Sequence, residues 1–145
     1  MNRRTKNRLL LVSAENANRQ RLRELLETEG FDVLLAETGQ KALRAIRGYL
    51  VDGIILDYGT PHAQYESSAN RSRTLEALTD ASPFLPLVLI CKTTAELSHA
   101  ASLMADMILV EPLQPSALLD AVDTVLEETL RERARRKAGS IAVLR

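Results

Sequence analysis

One cysteine, no tryptophan, five prolines and no net charge mark this 145-residue chain. A single cysteine, Cys91, cannot close an internal disulfide, which excludes a cross-linked secreted scaffold. With only Phe31, Phe84 and three tyrosines, the chain has no aromatic platform on which nucleotide bases could stack. The longest apolar runs, Leu9–Val12 and Leu85–Cys91, fall far short of the about 20 residues that a membrane-crossing helix needs. No apolar segment of signal-peptide length follows the charged N-terminus, so the sequence reads as cytoplasmic, with no membrane contact expected. An apolar fraction of 46% and a charged fraction of 26% suit one globular domain with a normal core.

The zero net charge conceals a segregation. Residues 1–8 carry Arg3, Arg4, Lys6 and Arg8 with no acid. Residues 131–145 carry five arginines and Lys137 against Glu132 alone. Between them, residues 9–130 hold twice as many acidic as basic side chains. An acidic body with two basic ends is the result. The division expected is a basic tail over 1–7, a domain over 8–130, and a basic extension of the last helix with a tail over 131–145. No DNA-reading module follows Arg131–Lys137, so direct nucleic-acid binding is not expected and a solvated helix end is.

Strand and helix patterns alternate along the body. Arg8–Val12 is a short apolar run that fits a buried parallel strand. Asn16 or Asn18 can cap the helix that follows; Leu22, Leu25 and Leu26 give it an apolar face, and Gly30 can stop it. Phe31–Ala36 reads as a second strand, and Thr38 caps a helix with Ala42, Leu43, Ala45 and Ile46 on one side. Gly53–Leu56 is a third strand ending at Asp57, followed by a turn at Gly59-Thr60-Pro61. A helix is predicted over about 70–80. Leu87–Cys91 is a fourth strand, then a helix capped by Thr94 carries Leu97, Ala101 and Met104. Met107–Val110 is the fifth strand, and Pro115 opens a last helix bearing Leu118, Leu119, Val122, Val125, Leu126 and Leu130. Five β–α units require a parallel sheet with helices on both faces. Ligand sites in such sheets lie at the carboxyl ends of the strands: Ser13-Ala14-Glu15, Asp57, Cys91-Lys92 and Glu111-Pro112.

At this point the sequence resembles a response-regulator receiver domain, the phospho-acceptor module of two-component signalling, over about residues 8–130. Val12, Glu15, Arg19, Leu22, Gly30 and Phe31 match its first strand and helix. Ala36, Gly39, Ala42 and Leu43 match its second unit. Asp52–Asp57 with Pro61 matches the phospho-acceptor strand, with Asp57 at the acceptor position. Pro86–Ile90 matches the fourth strand. The resemblance implies a flavodoxin-like (CheY-like), doubly wound (βα)5 sheet of strand order 2-1-3-4-5.

The resemblance also implies where the chain departs from the family. Phosphoryl transfer there uses Mg²⁺ held by an acidic pair and the acceptor, a hydroxyl residue after the fourth strand, and a lysine after the fifth. Cations neutralise the equatorial phosphoryl oxygens, and Mg²⁺ takes hard oxygen ligands. Here Ser13 and Ala14 hold the acidic-pair positions, Cys91 the hydroxyl position and Glu111 the lysine position. Ile108 stands where an aromatic residue is common, and Tyr65 where a loop glycine is. Only Asp57 of the five active-site positions remains. A Lys-to-Glu exchange shifts the local charge by two units, each worth roughly 3 kcal/mol at about 6 Å and an effective dielectric of ~20.

The expectation is therefore an atypical receiver, not an enzyme, signalling through protein contacts with weak or absent Mg²⁺-dependent phosphorylation. No cofactor is expected; Mg²⁺ binding, by Glu15 and Asp57, is expected to be weak at most. The alternative is a working acceptor, phosphorylated at Asp57, that regulates an output domain or partner. The partners implied are a histidine kinase or a downstream regulator. The partner face implied comprises Ile108, Leu118, Val122, Leu126 and Leu130, with a homodimer possible through the last helix. Cys91 reads as a small buried hydrophobe, and His62 and His99 as surface residues without metal-ligand spacing. An Asp57–Glu111 acid–base pair lacks a nucleophile, and an enzyme on this fold lacks a Gly-rich phosphate loop.

Overall fold

A computed structural model describes residues 7–58, 68–93, 97, 99–128, 132 and 135. Their elements run β1 (Arg8–Val12), α1 (Asn16–Thr28), β2 (Asp32–Ala36), α2 (Gly39–Gly48) and β3 (Gly53–Asp57). They continue with α3 (Ser68–Ala81), β4 (Leu87–Cys91), α4 (His99–Met104), β5 (Met107–Val110) and α5 (Pro115–Glu127). The strands form one parallel sheet in the order β2-β1-β3-β4-β5. This is the expected doubly wound (βα)5 architecture.

Side chains alternate across each strand, so the sheet sorts its apolar residues into two cores. Leu10, Val12, Ile54, Leu56, Leu89 and Cys91 face α2, α3 and α4, where Ala42, Leu75, Leu78 and Ala101 meet them. Leu9, Leu11, Ile55, Val88 and Ile90 face α1 and α5, against Leu22, Leu26, Leu118, Ala121, Val122 and Val125. The three central strands, β1, β3 and β4, carry apolar residues on both faces of their middles because both faces are covered.

Local chemistry sets the boundaries. α1 ends in a left-handed Gly30, φ 96°. The N–H of Phe31 reaches Leu26 O at 3.2 Å and that of Gly30 reaches Glu27 O at 3.0 Å, which caps the last carbonyls. Thr38 Oγ1 accepts from Lys41 N at the start of α2. Pro115 opens α5, as expected.

Three expectations need correction. Neither Asn16 nor Asn18 caps α1: Glu15 does, its carboxylate accepting from Ala17 N at 2.9 Å and Asn18 N at 2.8 Å. A longer acid reaches two amides of the first turn at once, and both asparagines lie inside the helix. The helix after β4 is only six residues long and begins at His99, so Leu97 precedes it. The last helix does not run unbroken into the arginines: it ends at Glu127, and Glu128 is extended, φ −67° and ψ 130°. Glu132 and Arg135 are helical again beyond this break. The expected turn at 59–61, His62, Tyr65, the cap at Thr94, Leu130 and most of both basic ends lie outside the described residues.

Candidate functional site

The carboxyl edge of the sheet gathers Ser13, Asp57, Cys91 and Glu111, one from the end of each of four strands. Backbone bonds fix this edge: Ser13 N–H donates to Ala36 O, Tyr58 N–H to Ile90 O and Glu111 N–H to Cys91 O. The Glu111–Pro112 peptide is cis. Asp57, the last residue of β3, is 6% exposed, and beside it Ser13 is 1% exposed. They are the two buried polar side chains among the described residues.

Two neutral donors converge on one oxygen of Asp57. Ser13 Oγ donates to Oδ2 at 2.9 Å, and Asn18 Nδ2 donates to the same atom at 2.5 Å. Charge-assisted hydrogen bonds of this kind help to satisfy a buried carboxylate. Asn18 is itself held at both ends. Its N–H is capped by Glu15, and its Oδ1 accepts from Arg21 Nη2. Arg19 braces the same loop from below, its Nη1 donating to Ser13 O at 2.8 Å and its Nη2 to Asn16 Oδ1 at 2.8 Å. Arg19 also lies 3.9 Å from Glu37 Oε2. Sequence reasoning missed Asn18 and Arg21, because neither falls at a strand end. The one available signal was that Asn18 lies a single helical turn beyond Glu15.

The remaining expected positions divide. The Ala14 side chain has no donor atom for a cation. Glu15 is at the site's edge, but its carboxylate is committed to the α1 amides. Cys91 is fully buried in the core facing α2–α4, as expected of a small hydrophobe. Glu111 is half-buried after β5. Among the described residues, no group of three or more His, Cys, Asp or Glu side chains could hold a metal ion. A hydroxyl, a methyl and a carboxylate already holding two donors do not make the hard, anionic oxygen set that Mg²⁺ takes.

The expected partner face is corrected by burial. Leu118 and Val122 are 0% and 1% exposed in the core on the α1–α5 side of the sheet, where α5 packs against β4 and β5. Ile108 and Leu126 are half-buried and pack against the two cores, and Leu130 lies outside the described residues. The large exposed apolar side chains among the described residues are Tyr49, Leu50, Phe84 and Val110. Among those residues no helix is long and apolar enough to cross a membrane.

No family model matches the sequence, and no curated protein matches it. Solved structures do. A CheY-like response regulator receiver domain protein from Methanospirillum hungatei superposes with a TM-score of 0.70 at 22% identity, over 84% of this chain and 94% of that one. The response regulator TrrA of Thermotoga maritima, in complex with Mg²⁺ and BeF, gives 0.70 at 24% identity over 82% and 98%. The receiver domain of the sensor histidine kinase PA1611 from Pseudomonas aeruginosa, with magnesium in its active-site cleft, gives 0.65 at 20% over 83% and 97%. The class that this architecture defines is the CheY-like receiver fold. This chain has that fold.

Proposed function

We infer that this chain is a signalling module on the receiver fold that works through protein contacts and does not depend on Mg²⁺-assisted phosphorylation of Asp57. The observation that carries this reading is the double hydrogen bond onto Asp57 Oδ2 from Ser13 and Asn18. Both donors would have to turn away before that oxygen could ligate a cation. No carboxylate stands at 13 or 14 to recruit one. At 111 a carboxylate replaces the cation that would neutralise phosphoryl oxygens, and its field opposes an incoming dianion. The role is one of binding rather than catalysis. The partners are proteins: a histidine kinase or a downstream regulator.

The competing reading is a working acceptor in which Glu15 and Asp57 hold Mg²⁺. It requires Glu15 to release two backbone amides of α1. Intact-mass spectrometry after incubation with acetyl phosphate and Mg²⁺, with Asp57→Asn as control, separates the two. The expected result is no mass gain on the folded protein. Stoichiometric gain of one phosphoryl group, absent from the control, would overturn the inference and establish the working acceptor.

A further inference from the structure

The amino edge of the sheet, at the opposite end from Asp57, carries an apolar patch. Leu50 is 91% exposed, and Tyr49 and Phe84 are each 57% exposed. A single exposed leucine needs no explanation, but three large apolar side chains on two neighbouring loops do. Residues 49–52 lead from α2 into β3, and residues 82–86 lead from α3 into β4, the strand beside it. α2 and α3 pack against each other on one face of the sheet, so both helices end at this edge.

Backbone bonds hold these side chains in place. Tyr49 N–H donates to Ala45 O at 2.9 Å and closes α2. Three residues on, Asp52 N–H donates to Arg8 O at 2.7 Å, and Asp52 Oδ2 accepts from Arg8 N at 2.7 Å. Between these anchors Val51 packs against the α2–α4 core, while Leu50 beside it stays in solvent. In the second loop Ser82 N–H donates to Leu78 O at 3.0 Å and Leu85 N–H to Ser82 O at 3.2 Å. That turn packs Leu85 on the core and leaves Phe84 exposed. Apolar groups already fixed in this way lose less freedom on binding.

Charge is divided across the patch. α2 carries Lys41, Arg44 and Arg47 and no acid. The last two turns of α3 carry Glu76 and Asp80 and no base. Arg44, Arg47, Glu76 and Asp80 are exposed, and none of them makes an ion pair with another described residue. A basic helix end and an acidic helix end therefore flank one apolar patch. A partner of a single charge sign would match half of this surface and be repelled by the other half. A second copy matches both halves. Rotation by 180° about an axis through the patch, along the strands, brings Arg47 of each copy to Asp80 of the other.

We propose that this edge is a two-fold interface between copies of the chain, with Tyr49, Leu50 and Phe84 at its centre and Arg47–Asp80 pairs at its rim. The proposal goes beyond the inferred signalling role and does not depend on how Asp57 is used. Its residues are few beside the about 20–30 a side of a standard interface, so the dimer is weak and forms as concentration rises.

Sedimentation of the full chain from about 5 µM to about 1 mM, at low ionic strength, is the test. The expected result is a rise in mass that saturates at the dimer. Leu50→Asp combined with Phe84→Asp should abolish it, and a thermal melt should show that this variant remains folded, since both side chains are exposed. Arg47→Glu and Asp80→Lys should each self-associate at least about tenfold more weakly, because each reversal creates two like-charge pairs. An equimolar mixture of these two variants should dimerise within about threefold of the native chain, since every pair across the axis is then again of opposite sign. A monomer over the whole range would overturn the proposal and leave the patch to a different partner. A dimer weakened less than about twofold by the Leu50 and Phe84 changes would also overturn it, since the contact would then lie on another face, the last helix included. So would a mixture that associates no better than the single variants. None of these readouts reports on Asp57, so their failure leaves the proposed role of that residue standing.

Discussion

Ser13 and Asp57, 44 residues apart in sequence, meet at one carboxylate oxygen: the Ser13 hydroxyl donates to Asp57 Oδ2 over 2.9 Å. Both side chains are buried, so the bond is made where water competes little. Removing one partner of a buried hydrogen bond to a charged group costs about 1–3 kcal/mol. Ser13→Ala is therefore expected to lower unfolding stability by that amount in urea titrations, and Asn18→Ala by a similar amount. If Ser13→Ala is neutral, the two side chains do not depend on each other.

Restoring anionic oxygen ligands should restore the metal. The triple variant Ser13→Asp, Ala14→Asp, Glu111→Lys adds two carboxylates after β1, next to the β3 end that carries Asp57, and a cation after β5. Without metal, the crowded carboxylates should destabilise the fold by about 1–3 kcal/mol. Addition of Mg²⁺ should recover this loss, and calorimetry should detect binding at least about tenfold tighter than in the native chain, equivalent to about 1.4 kcal/mol. Equal Mg²⁺ affinity in the two proteins would show that these three positions do not control the site.

Gly39 starts α2 directly against Thr74 of α3. A Cβ at position 39 would fall 2.5 Å from Thr74 Oγ1 and 3.0 Å from its Cγ2. Gly39→Ala should cost about 1–3 kcal/mol by overpacking, against the gain of up to about 1 kcal/mol that losing a glycine ordinarily brings. Thr74→Ala in the same chain should return most of that loss, so a double-mutant cycle should report a coupling of about 1 kcal/mol or more. Additive effects would place the strain elsewhere.

Leu118 separates core from interface. Buried at 0% exposure among Leu9, Leu11 and Ile90, it should cost about 2–5 kcal/mol when cut to alanine. Leu118→Ala should leave the oligomeric state, measured by sedimentation, unchanged. A change in assembly with little loss of stability would return Leu118 to a partner face.

Much of the fold was legible because its signals are local. The run Leu87-Val88-Leu89-Ile90-Cys91 can be satisfied only by a strand covered on both faces, and it is. Thr38, Gly30 and Pro115 each hold the boundary that their chemistry suggests. The site was legible in its positions but not in its bonds. A glutamate at a strand end suits a cation or a helix N-terminus equally well, and only the backbone geometry decided that Glu15 caps α1. Asn18 could not be linked to Asp57, because their contact spans 39 residues and depends on how α1 leaves the sheet. The apolar stripe of α5 was read correctly as a stripe. Periodicity gives a face without saying what covers it, and only the burial of Leu118 and Val122 assigns them wholly to the core.

The hydrogen-bonded Asp57 has a consequence for time. An acyl phosphate is a clock: it is set by one reaction and runs down by hydrolysis at its own rate. Under the proposed reading, the carboxylate held by Ser13 and Asn18 carries no such clock. The duration of this protein's signal is then fixed by how much of it is made and destroyed, and by how long a partner stays bound.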